Sequence, residues 1–294
     1  MKRIYGHLLL AGIVTIGGML MTSCDEVSLD DRYILNEDVK SERSILLEDF
    51  TGQNCVNCPE AHEVIEQLQE QFGADKVIAV SIHSGVFGIS VSKTNFDKNV
   101  VGLMTDEGNK ICNKYNINSF PMGVIDMGSP MVHSLWPSAV RSELQKETDL
   151  SIDLAVEYAA DAKDSENGYY GTIKTKATIS SSSDRAVNVQ FWVIEDGIVA
   201  IQRSLSSVIT DYVHNNVFRA QVFEDMSGKP LNIQAGITQE IEGEIANRWS
   251  DKEHWNVNNL SIVAIVSDGT GVLQAKEVKV IDNGEEPAED PKEE

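Results

Sequence analysis

Two cysteines two residues apart, in "FTGQNCVNCPE" (50–60), fall where an apolar run ends and an amphipathic pattern begins. Upstream, "SILLEDF" (44–50) is a short apolar stretch with acids near its end, the pattern of a buried strand. Downstream, Pro59 suits the first turn of a helix. Ala61, Val64, Ile65, Leu68 and Phe72 then recur at helical spacing until Gly73 ends the stripe. A cysteine at a helix start faces unpaired N–H groups and the positive end of the helix dipole, which favours thiolate. The second cysteine lies within one turn of the first and can reach it.

Such a pair is a working dithiol, half of a zinc site, or a staple. A zinc site needs about four ligands. The chain offers neither a second CxxC nor a spaced histidine pair, and His62 and His83 are the nearest imidazoles in sequence, so no metal is expected. Closing so small a loop adds little stability, which favours a redox use over a staple and leaves both open. Cys112, beside Ile111 on an expected helix over 99–115, reads as a buried core thiol. His83, after the expected strand "KVIAVSI" (76–82), reads as a satisfied loop residue ahead of the alternative, a side chain approaching the site from a neighbouring strand end.

The compartment follows from the N-terminus. Lys2 and Arg3 precede an apolar run over residues 7–21, which stops at "TSCDE". This describes an export signal, too short for the roughly 20 residues of a permanent membrane span. "LMTSC" reads as a lipobox, so residues 1–23 are expected to be cleaved and Cys24 to carry lipid that holds the protein at a membrane. An exported chain meets oxidising conditions. With Cys24 on lipid, Cys55, Cys58 and Cys112 remain, enough for one internal disulfide and one thiol.

Charge excludes a class of partner. The chain carries 24 Lys+Arg against 46 Asp+Glu, a net charge of −22. Loss of residues 1–23, with Lys2 and Arg3 and no acid, makes it −24. Such a surface repels phosphate backbones, so nucleic acid is not an expected partner. The polar stretch 24–43 reads as a tether, and residues 283–294, rich in Glu and punctuated by Pro, as a disordered acidic tail.

Between these ends the chain changes character near residue 150. Residues 44–148 alternate strand-like and helix-like segments: the two strands and helix already described, the 99–115 helix, "INSFPMGVID" (117–126) with a proline and a strand, a short strand over 130–135, and a helix opened by Pro137. This order resembles the thioredoxin fold. Asp49 and Phe50 stand six and five residues before Cys55, as an Asp-Phe pair does in thioredoxins, and "YNINSFP" resembles the segment leading to their cis-proline. The resemblance implies Cys55 as nucleophile, Cys58 as resolving thiol, Asp49 as proton acceptor and Pro121 as the docking residue. Asn54 stands where thioredoxins keep tryptophan, and Val56-Asn57 replaces Gly-Pro. The dipeptide does not fix the redox potential.

Residues 149–282 alternate with period two in "LSIDLAVEYA", "GTIKTKATIS", "AVNVQFWVIED", "LNIQAGITQEIEGEI", "LSIVAIVSD" and "VLQAKEVKVI". Strands at this density point to an Ig-like β-sandwich. The expected architecture is therefore α/β followed by all-β. A break over 203–230 contains "DYVHNNVFRA", with His214 and Arg219, which reads as a polar crossover or a binding loop. Trp249 and Trp255, flanking a turn near His254, read as sheet-edge packing.

The ordered set "DFTGxxCxNCP", "VSIHSG", "FPMGVID", "YVHNNVFRA" and "VLQAKEVKV" behind a lipobox resembles the outer-membrane lipoproteins related to the 28-kilodalton outer membrane protein of Bacteroidetes. The resemblance implies an envelope lipoprotein anchored in the outer membrane, with Asp25 and Glu26 favouring surface display. It names no reaction. Two functions stand: thiol–disulfide exchange with protein disulfides at a membrane, and a surface binding or adhesion module on a non-catalytic thioredoxin-like scaffold. No flavin, nicotinamide or other cofactor motif is visible.

Overall fold

The computed structural model describes residues 42–160 and 169–280. The expected signal 1–23, Cys24, most of the 24–43 tether and the 283–294 tail lie outside them.

Strands β1 (Ile45–Thr51) and β2 (Val77–His83) pair in parallel, and every residue of both is buried. Continuous apolar runs form such strands because both faces are covered. One face carries Ile45, Leu47, Val77 and Ala79. It packs against Ala61, Val64, Ile65 and Leu68 of α1 (Cys58–Phe72) and Trp136, Val140 and Leu144 of α3 (Trp136–Leu144). The other face, with Leu46, Phe50, Ile78, Val80 and Ile82, meets Ile111 and Cys112 of α2 (Asp106–Lys114). Each fully buried aliphatic side chain contributes roughly 1.5–3 kcal/mol. Helix α1 has proline in its first turn and ends at Gly73, whose φ of 99° is open to a residue without Cβ. Strand β3 (Met122–Ile125) lies antiparallel to β1 on the side away from β2.

Strands from beyond residue 149 extend this sheet. They are β6 (Arg185–Glu195), β9 (Val217–Gln221), β10 (Lys229–Ile233), β12 (Leu260–Asp268) and β13 (Gly271–Lys279). The order is β13-β12-β6-β9-β2-β1-β3, with β10 also on β6, eight strands in all. The join is one parallel register pair, Ser81 with Val217, and Ser81 N donates to Asn216 O at 2.7 Å. A second, antiparallel sheet holds β4 (Leu150–Ala160), β5 (Tyr169–Ser181) and β11 (Gln239–Arg248) in the order β11-β5-β4. Its inward Leu150, Leu154, Ile173, Ala177 and Ile179 share a core with Val187, Val189, Phe191 and Val193 of β6. The intervening Trp192 and Ile194 join the α2 side, so the period-two pattern of β6 serves two cores. A two-stranded ribbon, β7 (Ile198–Arg203) and β8 (Val208–His214), completes the set. The described residues are mostly β with three α-helices, one mixed sheet and antiparallel sheets.

Several local expectations change. Helix α2 begins at Asp106 rather than 99, because Thr105 Oγ1 accepts from Gly108 N at 3.0 Å and caps it. Residues 99–105 instead hold a left-handed turn at Asn99 and two isolated bridges, Val100 to Asn95 and Met104 to Ser90. The strand expected over 130–135 reduces to one bridge, Gly123 to Met131, before a 3-10 turn at His133–Leu135. The 203–230 break is largely strand: β8 turns through Asn216, at φ 56°, into β9. Arg219 is 3% exposed, 3.4 Å from Glu195, and lies over the Trp255 ring, a place for packing rather than for a binding loop. Trp255 is buried, while Trp249 stacks on His254 with ring centroids 4.2 Å apart.

Arg43 ties the two chain ends of the core together. Its guanidinium donates to Asp126 Oδ2 at 2.7 Å and to the carbonyls of Val272 and Leu273 at the start of β13.

Candidate functional site

Cys55 and Cys58 form a disulfide at the N-terminus of α1. The loop that presents it leaves β1 at Thr51 and is pinned on several sides. Asn54 N donates to Phe87 O at 2.9 Å, and Gln53 Nε2 donates to Val101 O at 2.8 Å. Gly52 passes so close to the Phe87 backbone that a Cβ would stand 2.6 Å from its carbonyl carbon. The β7–β8 ribbon closes over the loop. Arg203 N donates to Gln53 O at 2.8 Å, and Gln202 Nε2 donates to Cys55 O at 2.8 Å. The cysteines are 3% and 0% exposed in consequence, with Val56 between them 40% exposed.

Asp49 belongs to the face of β1 that meets α1, and it is fully buried. Its register neighbour Ser81 is near enough to favour the anion slightly, yet neither carboxylate oxygen completes a hydrogen bond with a side chain. Burial raises its pKa to about 8, so the group is protonated at neutral pH. Glu48, pointing to the α2 side, is likewise raised to about 8 by burial and accepts from the Tyr115 hydroxyl at 3.0 Å.

His62 connects Asp49 to the helix that carries Cys58. Residues 58 and 62 are four apart on α1, so their side chains share one face a turn apart. The His62 Nε2 lies 3.0 Å from Thr51 Oγ1 and 3.5 Å from Asp49 Oδ2. Its Nδ1 lies 2.7 Å from the Tyr212 hydroxyl on β8. Burial pushes the imidazole down to about 3, which keeps it neutral. Burial also raises the Tyr212 phenol to about 12, so it keeps its proton and donates to Nδ1.

Two further histidines complete the cluster. The His83 ring is 5.1 Å from His214, and His214 is 4.8 Å from Tyr212, centroid to centroid. His83 is not a satisfied loop residue: it ends β2, 2% exposed, with neither ring nitrogen hydrogen-bonded. His214 Nε2 donates to Ile201 O at 3.3 Å. Among the described residues no group of His, Cys, Asp or Glu is arranged to hold a metal. The cluster lines a cavity of about 410 Å³ that includes His62, Ser81, His83, Tyr212 and His214. Glu66, Asp196, Glu277 and Lys279 also line it, and Lys279 pairs with Asp196 at 3.0 Å.

Of the residues singled out in the sequence, Asp49, Cys55 and Cys58 lie in one neighbourhood of β1 and α1. Pro121 is at the same end, since Met122 pairs with Phe50, and the Phe120–Pro121 peptide is cis. Cys112 is a free thiol, 3% exposed in the core. Cys24 is outside the described residues. Sequence reasoning weighed His62 only as a metal ligand and missed Tyr212 and Gln202. Only His62 had a local signal, its spacing of four from Cys58.

Fold and site together define a mostly β protein with a disulfide at a helix start. The family described as Outer membrane protein Omp28 matches residues 108–284, more than half of the chain, and the chain belongs to it. The family places the protein in the outer membrane of the cell envelope. The matched span begins within α2, so the disulfide segment precedes it. Among solved structures, HBP35 of Porphyromonas gingivalis superposes with a TM-score of 0.58 at 16% identity, over 84% of this chain and 79% of that one. That likeness is one of fold. A domain of the outer membrane lipoprotein Omp28 from Porphyromonas gingivalis gives a TM-score of 0.32 at 18% identity, over 46% of this chain and 90% of that one. No curated protein sequence matches the chain.

Proposed function

We propose that the protein is a lipid-anchored outer-membrane protein whose thioredoxin-like part, residues 44–148, exchanges its Cys55–Cys58 pair with thiols and disulfides of other proteins. Asp49 carries this reading. It is a buried carboxyl without a completed hydrogen bond, protonated near neutral pH, on the strand leading to the disulfide. Burying a polar group unpaired costs stability, and a mere staple needs no proton store beside it. In this reading Cys55 is the sulfur that substrates meet, Cys58 resolves the mixed disulfide, Asp49 supplies and accepts its proton, and Pro121 borders the docking site. Residues 1–23 act as the signal, Cys24 as the lipid attachment point, and the stretch after it as the tether, which ends by Glu42 and Arg43, where Gln274, Asp126 and the start of β13 hold the chain in the core. Residues 149–282 are an Ig-like sandwich sharing the large sheet, followed by the acidic tail 283–294.

Redox buffering of the purified native protein tests the proposal. A reversible Cys55–Cys58 couple in glutathione or dithiothreitol buffers, with the fold intact, supports exchange. A disulfide that reduces only on unfolding contradicts it.

One observation favours the second reading, a binding module on a non-catalytic scaffold: Gln202 and Gln53, both 0% exposed, help cover the disulfide. On that reading the Cys55→Ser variant binds surface partners as the wild type does.

A further inference from the structure

We propose that this disulfide has separate routes for thiols and protons, and that His62 and Tyr212 pass protons between Asp49 and the cavity behind α1. The inference rests on the exchange reading above. It starts from a topological problem: Cys58 and Asp49 are fully buried, so a proton needed there has no direct path from water.

The geometry supplies one. From Asp49 Oδ2 it is 3.5 Å to His62 Nε2, and from His62 Nδ1 it is 2.7 Å to the Tyr212 hydroxyl. Tyr212 is part-exposed and lines the 410 Å³ cavity, together with Ser81, the register neighbour of Asp49. A neutral imidazole is suited to the middle position, because one ring nitrogen donates while the other accepts. With the Tyr212 hydroxyl donating to Nδ1, the His62 proton resides on Nε2, between Thr51 Oγ1 and Asp49 Oδ2. The other groups around this path are Glu63 and Glu66 on α1, His83 on β2 and His214 on β8. The mouth of the cavity carries Glu66 and Lys279, both exposed. Cys55, Val56 and Cys58 are absent from its lining, and the exposed Val56 marks a different approach for a thiol.

The step balances as follows. A dithiol substrate attacks Cys55 Sγ as a thiolate; the substrate S–Sγ bond forms and the Cys55–Cys58 bond breaks. Cys58 leaves as a thiolate and takes the proton of Asp49. The transfer is concerted with S–S cleavage. As Asp49 gives up its proton, His62 Nε2–H replaces it, Nδ1 takes the Tyr212 proton and Tyr212 takes one from cavity water. No charge is left on Asp49 or the phenol, so the whole path sets the rate of opening. The second substrate thiolate then attacks the first substrate sulfur, leaving the substrate as a disulfide and Cys55 as a thiolate. Two electrons pass from the dithiol to the protein. His62 and Tyr212 are positioning residues, since they act through Asp49 and touch neither sulfur.

The test is rapid-mixing reduction of the purified full chain by dithiothreitol, acid-quenched and thiol-labelled, in H2O and D2O. Tyr212→Phe removes one oxygen and keeps the ring; His62→Gln breaks the path at a second point. Each variant is expected to slow disulfide opening about tenfold or more near pH 7 and to lose the solvent isotope effect of the wild type. If the wild type opens rapidly and both variants match it in rate and isotope effect, the relay is overturned and exchange stands. Slowing with an unchanged isotope effect also overturns the relay, because a packing defect alone would produce it. A wild-type disulfide that resists dithiothreitol until the protein unfolds overturns both. If one variant fails to fold, the other decides.

Discussion

Gln202 Nε2 on the β7–β8 ribbon donates to the carbonyl oxygen of Cys55 at 2.8 Å, and this bond joins residues 147 apart in sequence. The same amide nitrogen is 3.0 Å from Arg203 O and 3.4 Å from Gly52 O. A segment from the later half of the chain thus covers the disulfide presented by the first.

Replacing Gln202 by Ala leaves those carbonyls without their shared donor and opens space beside Cys55. Loss of one buried hydrogen-bonding partner costs roughly 1–3 kcal/mol. The variant is expected to unfold at lower denaturant concentration. Its disulfide is expected to be reduced by dithiothreitol faster than in the wild type, as followed by thiol labelling under native conditions.

The buried acids and histidines give stability a pH dependence of definite sign. Asp49 and Glu48 have folded pKa values near 8, against about 4 when unfolded, so the native state holds extra protons between those values. Each therefore loses stability progressively as pH rises from about 4 to about 8, by at most about 1.4 kcal/mol per pH unit. His62 and His214, lowered to about 3 and about 4, act oppositely: their contribution is present above about 6.5 and is lost as pH falls. The two effects offset between about pH 4 and 6.5, and the acids dominate from about 6.5 to 8. Denaturation midpoints are expected to fall across that upper interval. Asp49→Asn should flatten part of the fall and Glu48→Gln a further part.

Arg43→Ala removes the partner of Asp126, itself 6% exposed and held by burial at a pKa of about 6. Breaking a buried ion pair from one side costs about 3–5 kcal/mol. Urea unfolding of this variant is expected to show that loss at neutral pH. Arg43→Ala with Asp126→Asn should recover part of it, because no uncompensated charge remains.

Much of the first half was legible locally. Ala61, Val64, Ile65 and Leu68 gave α1 its stripe, and each is buried as that stripe requires. The apolar runs at β1 and β2 were strands because both faces are covered. What was not legible depends on distant partners. Ser81 meets Val217, and nothing near residue 81 announces that strands beyond residue 149 continue the same sheet. The β7–β8 ribbon was hidden because Val199, Leu205, Val208 and Val213 are apolar yet 49–75% exposed, so their pattern reports no core. At the site, Cys55 and Cys58 were explicit, and Asp49 was marked by its distance from them. His62 acquires its partner only when β8, 150 residues later, brings Tyr212 to its ring.

The most direct measurement of the central claim is the redox state of Cys55–Cys58 in the envelope. Whole cells are quenched in acid, their free thiols labelled, and the protein resolved by the number of labels. Exchange predicts both reduced and oxidised forms, with the proportion moving when an external thiol or oxidant is pulsed. Complete oxidation that no pulse alters would contradict it and leave the disulfide a staple.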